Sequence, residues 1–190
     1  AFAHLRDHGS ENYRPDTHFF MDQVCAHAGA SPARQASQST ASMVAHLMPE
    51  KHTYWVTATS SPCTSIFKPV WFGDDPLPTS FVGENVDTFD DDIFWWHHEE
   101  LHRHILKDFQ HRHDQVRKEY DTLEARWMKE AEEVSKDKRA DLTAEAFDLE
   151  REIADAFVAM METESIHTKP RFPYRRFWNK QNDLVKLKLK

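Results

Sequence analysis

Residues 54–70, YWVTATSSPCTSIFKPV, hold two short apolar runs around a link of hydroxyls and one proline. The runs Tyr54 to Thr59 and Ser65 to Val70 are rich in β-branched and aromatic residues and read as strands. Between them Ser60 to Thr64 is a turn-rich link of hairpin length. Upstream, Ser42 to Leu47 reads as a further strand and Phe19 to Ala28 as another. Successive β-like runs predict an antiparallel sheet, so residues 1–89 read as a β-rich unit.

Past Asp90 the texture changes. Asp90, Asp91 and Asp92 offer N-caps and negative charge for a helix start. Leu101, Ile105, Phe109, Val116, Tyr120, Leu123 and Trp127 then recur at spacings of three, four or seven, an apolar stripe along one long helix. A polar break at Ser135 to Asp141 precedes a second stripe, Leu142, Ala146, Leu149, Ile153, Phe157 and Met160, capped by Asp141 or Thr143. The two stripes predict a helical hairpin over residues 90–165 that packs on the sheet. Pro170 and Pro173 end regular helix, and residues 166–190 follow as a basic tail. The fold class is α+β.

The chain has 190 residues, 39% hydrophobic and 29% charged, a balance that supports a packed core. A net charge of -8 argues against nucleic-acid binding. No apolar run reaches the roughly 18–20 residues of a membrane span, and the N-terminus lacks the pattern of a signal peptide. Two cysteines, Cys25 and Cys63, are too few for a disulfide scaffold and point to a reducing, cytoplasmic setting.

Three constellations bear on chemistry. His98-Glu99-Glu100-Leu101-His102 matches H-E-x-x-H on a helix, where two His one turn apart share a face and the Glu polarises a zinc-bound water. The extension found in one class of zinc protease fails, because Ile105 and Asp108 stand where Gly and His are required. Cys25 lies two residues from His27, and Cys63 follows His52; each is a candidate nucleophile or a small core residue. On an extended strand, Thr57 and Thr59 project to one face and form a hydroxyl row.

The order of motifs adds a family reading. Leu5-Arg6-Asp7, then residues 24–29 (VCAHAG), 38–44 (QSTASMV), 54–59 (YWVTAT), 65–70 (SIFKPV) and 95–103 (WWHHEELHR) follow one another. This series resembles the secernin-like dipeptidases, N-terminal-nucleophile cysteine hydrolases, from about residue 5 to about residue 125. The resemblance implies the C-terminal part of an αββα sandwich that cleaves amide bonds in small peptides. In that family the nucleophile is a Cys exposed at the processed N-terminus, with its own α-amino group as base. No residue of this chain is catalytic on that reading, and no metal or cofactor is called for. The nucleophile belongs to an N-terminal segment or a companion chain. Ser42, Thr57 and Thr59 are then substrate-side residues, and Lys68 and Arg6 are cations for a substrate carboxylate. Two positions where the family tends to carry Gly hold Ala30 and Ala58. The H-E-x-x-H helix also recurs in that family without implying zinc. A half sandwich exposes a sheet edge, so a partner chain or a second copy of this chain is expected to cover it. The alternatives are a non-catalytic assembly module and a zinc hydrolase through His98, Glu99 and His102.

Overall fold

A computed structural model describes residues 1–18, 22–29, 37–73 and 86–189. The elements run α1 (Phe2–Leu5), β1 (Met43–Leu47), β2 (His52–Val56), β3 (Lys68–Val70), α2 (Phe94–Ile105), α3 (Phe109–Glu133), α4 (Arg139–Thr163) and α5 (Phe172–Leu184). A 3-10 turn, Lys136–Lys138, joins α3 to α4.

The predicted antiparallel sheet is present, in the order β1-β2-β3. Met43 faces Val56 and Leu47 faces His52, while Tyr54 faces Val70 and Val56 faces Lys68. Alternation sorts β2 onto two faces. Tyr54 and Val56 join Val70 and pack against Phe94 of α2 and Phe147 of α4. Trp55 faces the other way into the main core, where Phe2 of α1 meets it edge-on at 5.6 Å and stacks on Phe67 at 4.2 Å.

β2 stops at Val56, short of the predicted Thr59. Ala58 has φ of 56°, in the left-handed region. The Thr57 hydroxyl donates to Thr59 O at 3.1 Å and the Thr59 hydroxyl to Thr57 O at 3.2 Å. These local bonds replace a ladder. The predicted strand at Phe19 to Ala28 is corrected as well. Residues 19–21 lie outside the described residues, and 22–28 form no strand. Their backbone bonds go to other loops: Cys25 N–H donates to Asp7 O at 3.1 Å, and Ala26 exchanges bonds with Ser39.

The single long helix expected after Asp90 is two helices. The break at 106–108 coincides with Asp108, whose carboxylate accepts N–H bonds from His167 at 2.6 Å and Thr168 at 3.2 Å. The apolar stripe keeps its phase across the break, and Leu101, Ile105, Phe109, Val116, Tyr120 and Trp127 are all buried. The helix starts also differ from expectation. Ile93 is the N-cap of α2, while Asp90 accepts from the Asp92 N–H in the turn before it. Thr143 sits inside α4 and donates to Pro69 O of β3 at 2.9 Å.

α3 and α4 form the predicted antiparallel hairpin. Arg126 near the end of α3 pairs with Glu145 near the start of α4. Arg112 at the start of α3 donates to Met161 O at the end of α4, at 2.7 Å. The basic tail is not irregular. Pro173 occupies the first turn of α5, where a missing N–H is tolerated. Tyr174 and Trp178 then bury one face of the helix, and Arg103 of α2 lies 5.2 Å from the Trp178 ring. No helix among the described residues is long and apolar enough to cross a membrane.

A left-handed Ala carries a Cβ clash that Gly lacks, about 1–2 kcal/mol. Part of that is offset by the extra freedom Gly gives the unfolded chain. Ala58→Gly is therefore expected to stabilise the protein by roughly 0.5–1 kcal/mol, read as a higher denaturant midpoint at unchanged slope. A lower midpoint would show that Ala58 is not strained.

Candidate functional site

Residues 57–67 link β2 to β3 through the interior, and all but Ala58 are buried. Backbone without a ladder must find its hydrogen bonds elsewhere. Here three buried glutamates, one from each of α2, α3 and α4, organise the answer.

Glu124 of α3 accepts the Phe67 N–H at 2.7 Å and pairs with Arg6 through Nη1 at 2.9 Å. Arg6 also donates to Pro62 O at 2.8 Å and Ser65 O at 3.1 Å, and Arg117 donates to Ser65 O at 2.6 Å. Glu99 of α2 accepts from the Ser60 hydroxyl and from Arg103 Nε at 2.9 Å, and His102 Nδ1 lies 3.2 Å away. Burial would raise the Glu99 carboxyl, but His102, Arg103 and Ser60 hold it down at about 2. Glu150 of α4 pairs with Lys68, and His98 Nδ1 lies 3.2 Å from it. Lys68 completes its shell with Thr57 O at 2.7 Å and Ile66 O at 3.1 Å, and lies 4.7 Å from the Phe147 ring centre. Burial pushes the Lys68 ammonium below its ordinary value, and Glu150 opposes that shift.

The five residues singled out by sequence fall into one region, with different exposure. Thr57, Thr59 and Lys68 are completely enclosed between the sheet and the helices. Thr59 Oγ1 lies 2.9 Å from Ser65 Oγ, which in turn lies 3.2 Å from His98 Nε2. Arg6 faces the same link from α1's side, its guanidinium taken up by Glu124 and two carbonyls. Ser42 is half-buried at the head of β1, exchanging bonds with Thr57: its N–H meets Thr57 Oγ1 at 2.9 Å, and its carbonyl accepts the Thr57 N–H at 3.0 Å. Both cations thus neutralise glutamates far away in sequence. Of the H-E-x-x-H residues, His98 engages Glu150 and Ser65, while Glu99 engages Arg103, Ser60 and His102.

A second cluster lies beside the link. His8, Cys25, His27 and Cys63 bring their donor atoms within 4.8 Å of one another. His27 Nε2 is 3.1 Å from His8 Nε2, 3.2 Å from Cys63 Sγ and 3.7 Å from Cys25 Sγ. The expected contact between Cys25 and His27 is therefore made, without the strand. Burial holds His27 down at about 4. Sequence reading missed His8, which sits in an irregular turn with no periodic signal. It also set Cys63 beside His52, whereas Cys63 meets His27.

On the other face, β1 is an edge strand among the described residues, with Met43, Leu47 and nearby Met48 between 49% and 63% exposed. A cleft of about 990 Å³ opens there, lined by Phe2, Val44, Met48, Trp55, Met128 and Ala131 among others. No protein-family model, curated protein or solved structure matches the chain.

A buried histidine of α2 contributes a pH dependence. His104 is fully buried, and neither ring nitrogen has a hydrogen-bond partner among the described residues. Burial, with Lys107 and Arg112 adding repulsion, lowers it from 6.5 to about 3. Between those values the unfolded chain binds a proton that the folded chain refuses, so stability falls as pH drops below about 6.5. Moving from about pH 7.5 to about pH 5 is expected to cost about 2 kcal/mol through this residue. Denaturant unfolding at both pH values measures it. His104→Phe should remove about that share of the dependence and leave the part added by the depressed His27; an unchanged slope would remove His104 as a source.

Proposed function

We propose that this chain is the C-terminal part of an amide hydrolase of dipeptidase or amidase type, whose N-terminal Cys nucleophile lies on an upstream segment or a companion chain. The motif order from Arg6 to Arg103 motivates the reading. The observation that carries it is the edge at β1, open among the described residues. Strand edges with apolar side chains template pairing, and natural proteins cover them. Met43 and Leu47 on that edge, with the apolar cleft beside them, leave room for further strands of a larger sheet.

On this reading the chain's own residues act as scaffold. The three glutamates fix residues 57–67, and through them the register of β2 and β3. Ser42, half-buried at the head of the edge strand, is the substrate-side residue nearest the added strands. Arg6 and Lys68 position the link rather than meet substrate directly, since Glu124 and Glu150 neutralise them. The substrate class is a dipeptide or a related small amide. A non-catalytic assembly module draws on the same open edge, and the same experiment separates the two.

The test is intact mass and N-terminal sequencing of the protein from its native source, followed by a dipeptide panel assayed for released amine. The expected result is an upstream or companion segment beginning with Cys, and hydrolysis abolished when that Cys is alkylated. A native protein that starts at Ala1, has no companion and cleaves nothing leaves the assembly reading in its place.

A further inference from the structure

We propose that His8, Cys25, His27 and Cys63 form a tetrahedral Cys2His2 site for a structural zinc-class cation. With bonds of about 2.0–2.3 Å, tetrahedral zinc sets its ligand atoms roughly 3.3–3.8 Å apart. The separations of 3.1, 3.2 and 3.7 Å around His27 Nε2 fall close to that range. All four donor atoms sit within 4.8 Å of one another, so a cation enters between them with small side-chain adjustments. Both cysteines are free thiols.

The chemistry of the set fits zinc and disfavours harder cations. Two thiolates and two imidazoles are soft to borderline ligands, whereas calcium and magnesium take oxygen. Binding releases one proton from each thiol, and two thiolates with one dication leave a neutral unit. That neutrality matters because Cys25, His27 and Cys63 are at most 1% exposed, and a net charge there would be costly. Four protein ligands close the coordination shell, which marks a structural rather than a catalytic centre. His8, half-buried, stacks on Tyr13 at 4.2 Å and is the ligand nearest solvent, giving the ion its entry.

The position explains why such a site is useful. The ligands come from three stretches without regular secondary structure: the turn after α1, residues 22–29, and the link between β2 and β3. Phe109 of α3 meets the His27 ring edge-on at 5.3 Å. A cation therefore staples three irregular segments against the helical layer, where a hydrophobic core alone fixes irregular backbone poorly. The site does not depend on the hydrolase reading, because none of its ligands is a nucleophile on that reading.

The experiment uses the untagged full chain. Metal analysis after desalting is expected to give about one zinc per chain. Cobalt(II) exchange should give the intense visible bands of a tetrahedral ion and thiolate-to-metal charge transfer in the near ultraviolet. Cys25→Ser and Cys63→Ser should each remove about half of that charge transfer, while His46→Ala on the exposed face of β1 should leave it unchanged. A chelator should lower Tm, with recovery on adding zinc but not magnesium. Wild-type protein that retains no metal, an octahedral cobalt spectrum, or a Cys25–Cys63 disulfide in protein purified without oxidant would each overturn the site. The wild-type spectrum decides the question even where a cysteine variant fails to fold.

Discussion

Buried backbone that belongs to no helix or sheet must have its polar groups met by side chains, and residues 57–67 impose that demand on everything around them. Phe67 N–H is met by Glu124, the carbonyls of Pro62 and Ser65 by Arg6, and those of Thr57 and Ile66 by Lys68. Each cation then requires an acid, and α3 and α4 supply one apiece; α2 supplies Glu99 for Ser60. The helices are thus placed by the needs of the link as much as by their apolar stripe. Exchanging such a buried pair for apolar residues is often neutral, whereas removing one partner is severe. The network therefore specifies how the parts fit more than it adds to net stability.

The sheet was legible because aromatic and β-branched runs near positions 44, 54 and 69 declare themselves locally. The α3–α4 hairpin was legible for the same reason, through its stripe and the polar break. The interruption at Asp108 was not, because the stripe continues in phase and the bonds from His167 and Thr168 arrive from 59 and 60 residues away. α5 was hidden by Pro173, a residue that stops a helix in its interior but opens one at its first turn.

The candidate site shows the same division. Arg6, Lys68, Thr57 and Thr59 were visible as residue types that suit a polar pocket. Their partners Glu124 and Glu150 were ordinary members of charged helices until the fold placed them beneath the sheet. His8 carried no signal and Cys63 stood out only beside His52; 55 residues separate His8 from Cys63 in sequence, so no spacing rule connects them. Short-range pattern reveals elements; a site assembled from three distant segments needs the tertiary contacts first.

The Arg6–Glu124 pair spans 118 residues and the Lys68–Glu150 pair spans 82. During vectorial synthesis at about 5–20 residues per second, on the order of 6–24 s separate the making of Arg6 from the making of its acid. Until α3 and α4 emerge, Arg6 and Lys68 lack the glutamates that neutralise them, and the apolar strands lack the helices that cover them. The nascent chain thus carries an unshielded β segment until α3 and α4 emerge.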